Sequence, residues 1–108
     1  MSYAVFLTDD ATMDLEELYE YLGLHTVDGR ANYVLGEIEG AFKSLNEQPE
    51  RGSYPKELLA LGNRDFREVF FKPYRIVYRV IGTNVYVFLI ADGRRDMQAL
   101  LQRRLLEG

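Results

Sequence analysis

Arginines are the residues of this sequence whose type and spacing could do chemistry. Arg75 and Arg79 interrupt the apolar run FFKPYRIVYRVIGTNVYVFLIADGRRD, Arg67 lies just before it, and the pair Arg94 and Arg95 lies near its end. A guanidinium group donates hydrogen bonds in a rigid fork that matches the two oxygens of a carboxylate or a phosphate. Clustered on or around one concave sheet face, these side chains would bind an anion, either RNA phosphate or an acidic protein segment.

The spacing of Arg75 and Arg79 also permits a simpler interpretation. Successive side chains of a strand point to opposite faces, so two residues four positions apart share a face and lie roughly 13 Å from each other. On a half-exposed face they would pair with acids such as Glu68 or Asp65, and each exposed pair would contribute only about 0–1 kcal/mol. Spacing alone does not separate a solvated face from a binding site, and both interpretations stay open.

The other reactive side chains indicate no catalytic, cofactor or metal site. The chain has no cysteine and a single histidine, His25, beside a predicted helix end. Thr8, Asp9 and Asp10 are candidate caps of a predicted helix, and capping and solvation explain the acidic residues Asp9, Asp10 and Asp14 at its start. The sequence contains no glycine-rich loop in the strand–loop–helix setting that cradles phosphate. We therefore expect no cofactor and no bound metal.

The charge of the chain is divided between its two halves. Residues 1–50 contain 11 acidic and 2 basic residues, a net of −9, and residues 51–108 contain 6 acidic and 11 basic residues, a net of +5, which together give the formal −4. This split predicts an acidic helical side and a basic sheet side. A chain that is acidic overall is a poor non-specific binder of nucleic acid.

Length and composition predict one globular domain that spans residues 1–108. Hydrophobic residues make up 47% and charged residues 28% of the chain, as in ordinary soluble proteins. The first residues form no basic leader, and no apolar run approaches membrane-spanning length, so we expect a cytoplasmic protein with no membrane partner.

Hydrophobic periodicity predicts the element order β-α-α-β-β-β-α. A strand over 3–7 precedes a helix over 8–25, and a break over 23–29 leads to a second helix that forms a hairpin with the first. Residues 56–65 are compatible with a helical turn or a loop. Strands over 66–72, 74–81 and 85–91 follow, the last apolar on both faces as a central strand is, and a C-terminal helix begins after its predicted cap, Asp96.

Four segments together resemble the RelE/ParE superfamily of bacterial type II toxin–antitoxin toxins: DLEELYEYL, LNEQPERG, PYRIVYRV and LIADGRRD. The resemblance covers nearly the whole chain. It implies an α+β fold with an N-terminal strand, an antiparallel helical hairpin packed on a curved, mainly antiparallel sheet, and a short C-terminal helix. It also implies a cytoplasmic toxin that is neutralised by a cognate antitoxin, whose extended or helical segment wraps it.

The superfamily divides by target, and the matching residues favour the ParE-like branch. RelE-like toxins cut mRNA within the ribosome, using sheet arginines and lysines and a C-terminal tyrosine. Arg75 and Arg95 match two of those arginines, but Leu101 falls at the tyrosine position, and only Arg67 is cationic where lysines are expected. Arginine stays protonated, whereas cleavage needs a group that takes a proton. The resemblance thus implies a non-enzymatic toxin that inhibits DNA gyrase by binding it.

Two alternatives stay open. One is a ribosome-dependent mRNA endoribonuclease that uses Arg67, Arg75 and Arg95, and the other is a non-toxic member that binds only its antitoxin. The predicted partner contacts are Arg67, Arg75, Arg79, Arg94, Arg95 and Leu101. The leucines of the last helix either dock on the sheet or form an interface, and both a homodimer and a toxin–antitoxin hetero-oligomer are compatible with the sequence.

Overall fold

The computed structural model describes residues 2–27 and 29–107. Its elements are, in chain order, β1 (Ala4–Leu7), α1 (Asp9–His25), α2 (Arg30–Lys43), α3 (Lys56–Leu59), β2 (Arg67–Phe71), β3 (Tyr74–Ile81), β4 (Asn84–Asp92) and α4 (Met97–Leu101). A 3₁₀ turn, Ser44–Asn46, extends α2, and a π-helical turn, Gln102–Leu106, extends α4. The predicted α+β element order is confirmed. Residues 56–65, for which the sequence was compatible with a helical turn or a loop, contain the short helix α3.

The first helix begins and ends at hydrogen bonds made by two threonines. The Thr8 hydroxyl accepts a bond of 3.1 Å from the amide of Ala11, which caps α1 as predicted. At the other end the amide of Thr26 donates to the carbonyl of Leu22 at 3.0 Å. The helix therefore extends into the break predicted over 23–29, and Asp28 in that break lies outside the described residues.

The sheet has the strand order β1-β4-β3-β2, so β4 is a central strand as its apolar sequence predicted. β1 runs parallel to β4, and the other neighbours are antiparallel. The register between β3 and β4 shifts where Tyr78 pairs with Val87 and Val77 pairs with Leu89, so Phe88 is the extra residue of a β-bulge. Such a bulge bends the strand that carries it and increases the local twist.

Each face of the sheet carries its own apolar core, and β3 contributes to both by alternation. Ile76 and Tyr78 are fully buried under α1 and α2, while Val77 is fully buried on the opposite face with α3 and α4. The alternation predicted for this strand is confirmed. Arg75 and Arg79 therefore share the face that the two short helices cover only in part.

None of the helices in the described part of the chain is long and apolar enough to cross a membrane.

Candidate partner-binding surface

Arg75 lies inside the fold, between two carboxylates from different segments. Its Nε donates to the Glu68 carboxylate on β2 at 2.7 Å, and its two terminal nitrogens donate to the two oxygens of Glu57 on α3 at 2.8 and 2.7 Å. The Arg75 residue is only 8% exposed. All three guanidinium nitrogens are thus engaged within the chain. The sequence predicted Glu68 or Asp65 as a pairing partner, and Arg75 contacts Glu68.

The two carboxylates beside Arg75 differ in acidity, although they share one cation. The hydrogen bond from Arg75 lowers the pKa of Glu57, because it stabilises the charged form. Burial raises the pKa of Glu68, and the bond from Arg75 offsets this only in part. The bond to Glu57 in turn raises the pKa of Arg75 further above its ordinary value. Arg75 therefore stays protonated and holds α3 against the sheet.

Arg67 is occupied on the other side of the sheet. It pairs with Tyr78 across β2 and β3, and cross-strand partners share a face, so Arg67 and Arg75 point in opposite directions. The Arg67 guanidinium donates to the Gly52 carbonyl at 2.9 Å and to the Tyr54 hydroxyl at 3.1 Å, and it lies 4.5 Å from the centre of the Tyr54 ring. The arginines therefore do not all lie on one concave face of the sheet.

The loop before α3 packs so closely against the sheet that a side chain at position 52 would clash with it. The Tyr78 hydroxyl accepts a bond from the Gly52 amide at 3.0 Å and donates to the Pro49 carbonyl at 2.7 Å. A Cβ added at Gly52 would lie 2.6 Å from the Glu68 carbonyl oxygen and 2.6 Å from the Tyr78 hydroxyl. This loop supplies partners for Arg67 and leads into α3, which supplies Glu57.

Two further predicted contacts lie on the face covered by α4. The Arg79 guanidinium lies 5.8 Å from the centre of the Phe66 ring and is half-buried. Leu101 is fully buried in the same core as Val77 and Leu89, so the leucines of the last helix dock on the sheet. The partner contacts assigned to Arg79 and Leu101 stay predictions.

Arg94 and Arg95 are the exposed members of the set, and they lie together at a cleft of 380 Å³ between α1 and the end of β4. Arg94 donates to Asp92 through its Nε at 3.0 Å and a terminal nitrogen at 2.6 Å, and this bond lowers the pKa of Asp92. The Arg94 side chain nevertheless remains 77% exposed. Within the described residues, no carboxylate pairs with Arg95.

The cleft combines an apolar floor with charged rims of opposite sign. The residues that line it besides the two arginines are Asp14, Glu17, Leu18, Tyr21, Tyr74, Ile90, Ala91 and Asp92. Tyr21 from α1 and Tyr74 from β3 supply aromatic surface that an incoming side chain can pack on. Asp14 and Glu17 lie on the α1 side, and the two arginines, with Asp92, lie on the β4 side, so the cleft can orient a polar segment of a partner.

β1 ends at Leu7, opposite Val87, so it covers the edge of β4 only up to that residue. Beyond it, side chains bond to the β4 backbone at the edge beside this cleft. The Ile90 amide donates to the Asp14 carboxylate at 3.0 Å, and Arg104 donates to the Phe88 carbonyl at 3.1 Å. Two bonds of 2.9 Å join Arg104 to Asp14 itself. The pair therefore takes the place of a neighbouring strand and fastens the C-terminal turn to α1.

Sequence reasoning missed this pair, although a signal was present. Asp14 precedes Leu15 on the half-buried side of α1, and Arg104 follows the leucine stripe of the last helix at helical spacing. A charged residue beside an apolar stripe often has a partner elsewhere in the chain, because an unpaired charge is costly to bury.

Across residues 2–27 and 29–107, no cluster of three or more potential ligands could hold a metal ion.

A family model that matches most of the chain identifies the family to which the chain belongs. A model described as the ParE toxin of the type II toxin–antitoxin system parDE matches residues 5–97. The chain belongs to the ParE toxin family. A search of curated proteins finds no match. The superfamily membership inferred from the four sequence segments is confirmed, and the chain is a toxin of the type II toxin–antitoxin class.

Solved structures of other toxins share the fold of this chain. The chromosomal ParDE system of P. aeruginosa matches with a TM-score of 0.70 at 19% identity, over 84% of this chain and 96% of that one. The RelBE2 toxin–antitoxin complex of Mycobacterium tuberculosis matches with a TM-score of 0.59 at 21% identity, over 85% and 92%. A mutant of the E. coli toxin RelE in the free state matches with a TM-score of 0.65 at 16% identity, over 99% and 97%. These likenesses confirm the predicted fold.

Proposed function

We propose that this ParE-family toxin inhibits DNA gyrase by binding it and does not cut RNA. The observation that carries the proposal is the position of Arg75, whose guanidinium is bound on all sides by Glu57 and Glu68. RNA cleavage requires a group that accepts a proton from the 2′-hydroxyl and another that assists the leaving oxygen. A permanently protonated arginine cannot accept a proton, and here its nitrogens already serve the fold.

The residue at the position of the RelE tyrosine supports the same conclusion. Leu101 is a buried core residue and has no group that could exchange a proton. Arg95 is exposed and could stabilise a developing negative charge, which is only one part of RNA cleavage. A toxin that binds protein needs only complementary surfaces, which the exposed arginines and the cleft can provide.

The cognate antitoxin is assigned to the cleft that holds Arg94 and Arg95. Its acidic side chains would pair with these two guanidinium groups, and an apolar side chain would pack between Tyr21 and Tyr74 over Ile90. Charge pairs at the rim of such an interface mainly accelerate association, whereas the apolar contact slows dissociation. The solved relatives include a ParDE system and a RelBE2 complex, in which a toxin has an antitoxin partner.

Controlled expression of the toxin without its antitoxin tests the proposal. The expected result is filamentation, an SOS response and loss of gyrase supercoiling, with transcripts that remain intact. Cuts in mRNA at codon positions on ribosomes would overturn the proposal in favour of the endoribonuclease. Healthy growth, with a toxin that still binds its antitoxin, would overturn it in favour of a non-toxic member.

A further inference from the structure

The sheet face that packs against α3 and α4 is covered at one end only. Val77 and Leu89, toward the middle of β3 and β4, are fully buried on that face. Toward the turn that joins β3 to β4, side chains of the same face are open to solvent. Phe6 is 47% exposed and Ile81 is 48% exposed. The proposed function has not yet used this part of the molecule.

The register of the sheet places six residues there, in two rows across β1, β4 and β3. Phe6 lies opposite Tyr86, and Tyr86 lies opposite Arg79, so the three share one face. Tyr86 alternates with Val85 and Val87, which are buried under the helical hairpin, so this row faces the other way. The second row consists of Ala4, Asn84 and Ile81. These two rows are called the open end of the sheet below.

The open end combines an aromatic surface with one cation. The rings of Phe6 and Tyr86 stack with their centroids 5.6 Å apart. The Tyr86 hydroxyl accepts a hydrogen bond of 3.2 Å from the Asn84 side chain, which holds the tyrosine in place. Arg79 lies two strands from Phe6, or about 10 Å at the usual strand spacing. A partner that contacts both must present an apolar group and a second group about 10 Å from it.

Arg79 specifies what that second group is. It is the only charged residue of the six, and its half-buried guanidinium lies 5.8 Å from the centre of the Phe66 ring. Among the residues that the structure describes, no carboxylate pairs with Arg79, whereas Arg75 on the same strand is bound by two. A half-buried guanidinium without a carboxylate favours one that another chain supplies. The partner should therefore bring an acidic side chain.

The sequence of β1 also indicates a surface that another chain covers. Exposed edge strands usually carry charged residues or proline, which prevent association with other chains. β1 has the sequence AVFL and contains neither. Its Phe6 belongs to the same open end as Ile81, and adjoining exposed apolar side chains of this kind mark interaction sites.

We propose that the open end binds a protein segment that presents an apolar side chain to Phe6 and Ile81 and a carboxylate to Arg79. The inference rests on the proposed function and assigns this segment to DNA gyrase, because the antitoxin is assigned to the Arg94 and Arg95 cleft at the opposite end of β4. A second copy of the toxin fits less well, since a two-fold contact brings the same surface from both copies and supplies no carboxylate.

Binding of surface variants to gyrase and to the antitoxin tests the proposal on the full chain. Phe6→Thr removes the aromatic ring but keeps a residue that favours strands, and Arg79→Gln removes the charge but keeps the length. Each should weaken binding to DNA-free gyrase by about tenfold and weaken inhibition of supercoiling by a similar factor. Binding to the antitoxin should change by less than about twofold, because the cleft lies at the other end of the sheet.

Phe70→Thr is the matched control. Phe70 is also 47% exposed on an edge strand, but it lies on β2 and outside the open end. Its substitution should change gyrase binding by less than about twofold. Arg79→Lys, which keeps the positive charge, should lose less affinity than Arg79→Gln. Urea denaturation verifies that each variant is folded.

The outcomes distinguish this inference from the proposed function. A wild-type toxin that does not inhibit gyrase would overturn the proposed function, and this inference with it. Inhibition by the wild type that the folded Phe6→Thr and Arg79→Gln variants both retain would overturn this inference alone. A loss of binding that appears only when DNA is present would assign the open end to nucleic acid, and an equal loss of antitoxin binding would assign it to the antitoxin. Either result would overturn the assignment to a gyrase segment.

Discussion

Arg75 and Arg95 lie near the same end of the β3–β4 pair, yet their surroundings are opposite. Arg75 is paired with Ala91 across the strands and is enclosed by Glu57 and Glu68. Arg95 follows β4 by a few residues and is exposed at the rim of the cleft. The same residue type thus supports the fold at one position and is available to a partner at the other.

The difference arises from carboxylates supplied by other segments. Glu57 comes from α3, which follows the loop that Gly52 and Tyr78 fix, and Glu68 comes from β2. Arginine type and spacing identify cations, but the folded neighbourhood decides which of them has a free guanidinium.

Arg75→Ala should lower the free energy of unfolding by about 3–5 kcal/mol, because it leaves the buried Glu68 carboxylate and the half-buried Glu57 carboxylate without their cation. Urea denaturation of the wild type and the variant measures the change. The matched control is Arg95→Ala, which removes the same side chain from an exposed position. A loss of less than about 1 kcal/mol for Arg75→Ala would contradict the structural role.

Arg104→Ala should lower the free energy of unfolding by about 1–2 kcal/mol, since it breaks the bonds to Asp14 and to the Phe88 carbonyl. Hydrogen exchange at the Ile90 amide should also accelerate, because Asp14 accepts from that amide. The neighbouring Arg103 is exposed, and Arg103→Ala should change stability by less than about 0.5 kcal/mol. Equal effects of the two substitutions would show that the Asp14 pair does not hold the C-terminal turn.

Glu57 and Glu68 should give opposite pH dependences of the free energy of unfolding, because their pKa values are shifted in opposite directions. The lowered pKa of Glu57 contributes stability above its unfolded value of 4.5, which is lost as pH falls through the lower folded pKa. The raised pKa of Glu68 contributes stability below 4.5, which is lost as pH rises through the higher folded pKa.

The isosteric variant Glu68→Gln separates these two carboxylates, because glutamine keeps an oxygen that can accept from Arg75. Urea midpoints between about pH 3 and 7 should show that the variant no longer loses stability as pH rises above 4.5, while it keeps the acid-side loss due to Glu57. Parallel curves for the variant and the wild type would contradict the assignment of the raised pKa to Glu68.

Arg95→Ala should leave the free energy of unfolding within about 0.5 kcal/mol of the wild type, because its side chain is exposed. Antitoxin binding should nevertheless weaken by about tenfold, or about 1.4 kcal/mol, if its guanidinium pairs with an acid of the antitoxin. Titration calorimetry with the cognate antitoxin measures this effect. An unchanged dissociation constant would place the antitoxin outside the cleft.

The sequence predicted the elements whose residues interact locally. The alternation of β3 and the cap at Thr8 follow from neighbours within a few positions, and both are confirmed. The extra residue Phe88 was not predicted, because a bulge depends on the register between two strands. The Asp14–Arg104 pair was also missed, because its members are 90 positions apart and meet only in the folded chain.

The candidate site was predicted only as a set of cations. Arg94 and Arg95 are adjacent in the chain and remain together, so that part follows from the sequence. The enclosure of Arg75 by Glu57 was not foreseen, because the short helix that carries Glu57 gave no clear periodic signal. Residues that contact one another across distant segments determine which arginine is exposed, and local patterns do not contain that information.

A crossed comparison of Arg75→Ala and Arg95→Ala separates the arginine that supports the fold from the arginine that is available to a partner. Unfolding free energy and antitoxin affinity are measured on both variants, at a temperature where each is folded. This division of roles predicts that Arg75→Ala loses stability and retains its affinity, and that Arg95→Ala retains stability and loses affinity. A folded Arg75→Ala variant that no longer binds the antitoxin, beside an Arg95→Ala variant that binds normally, would contradict it.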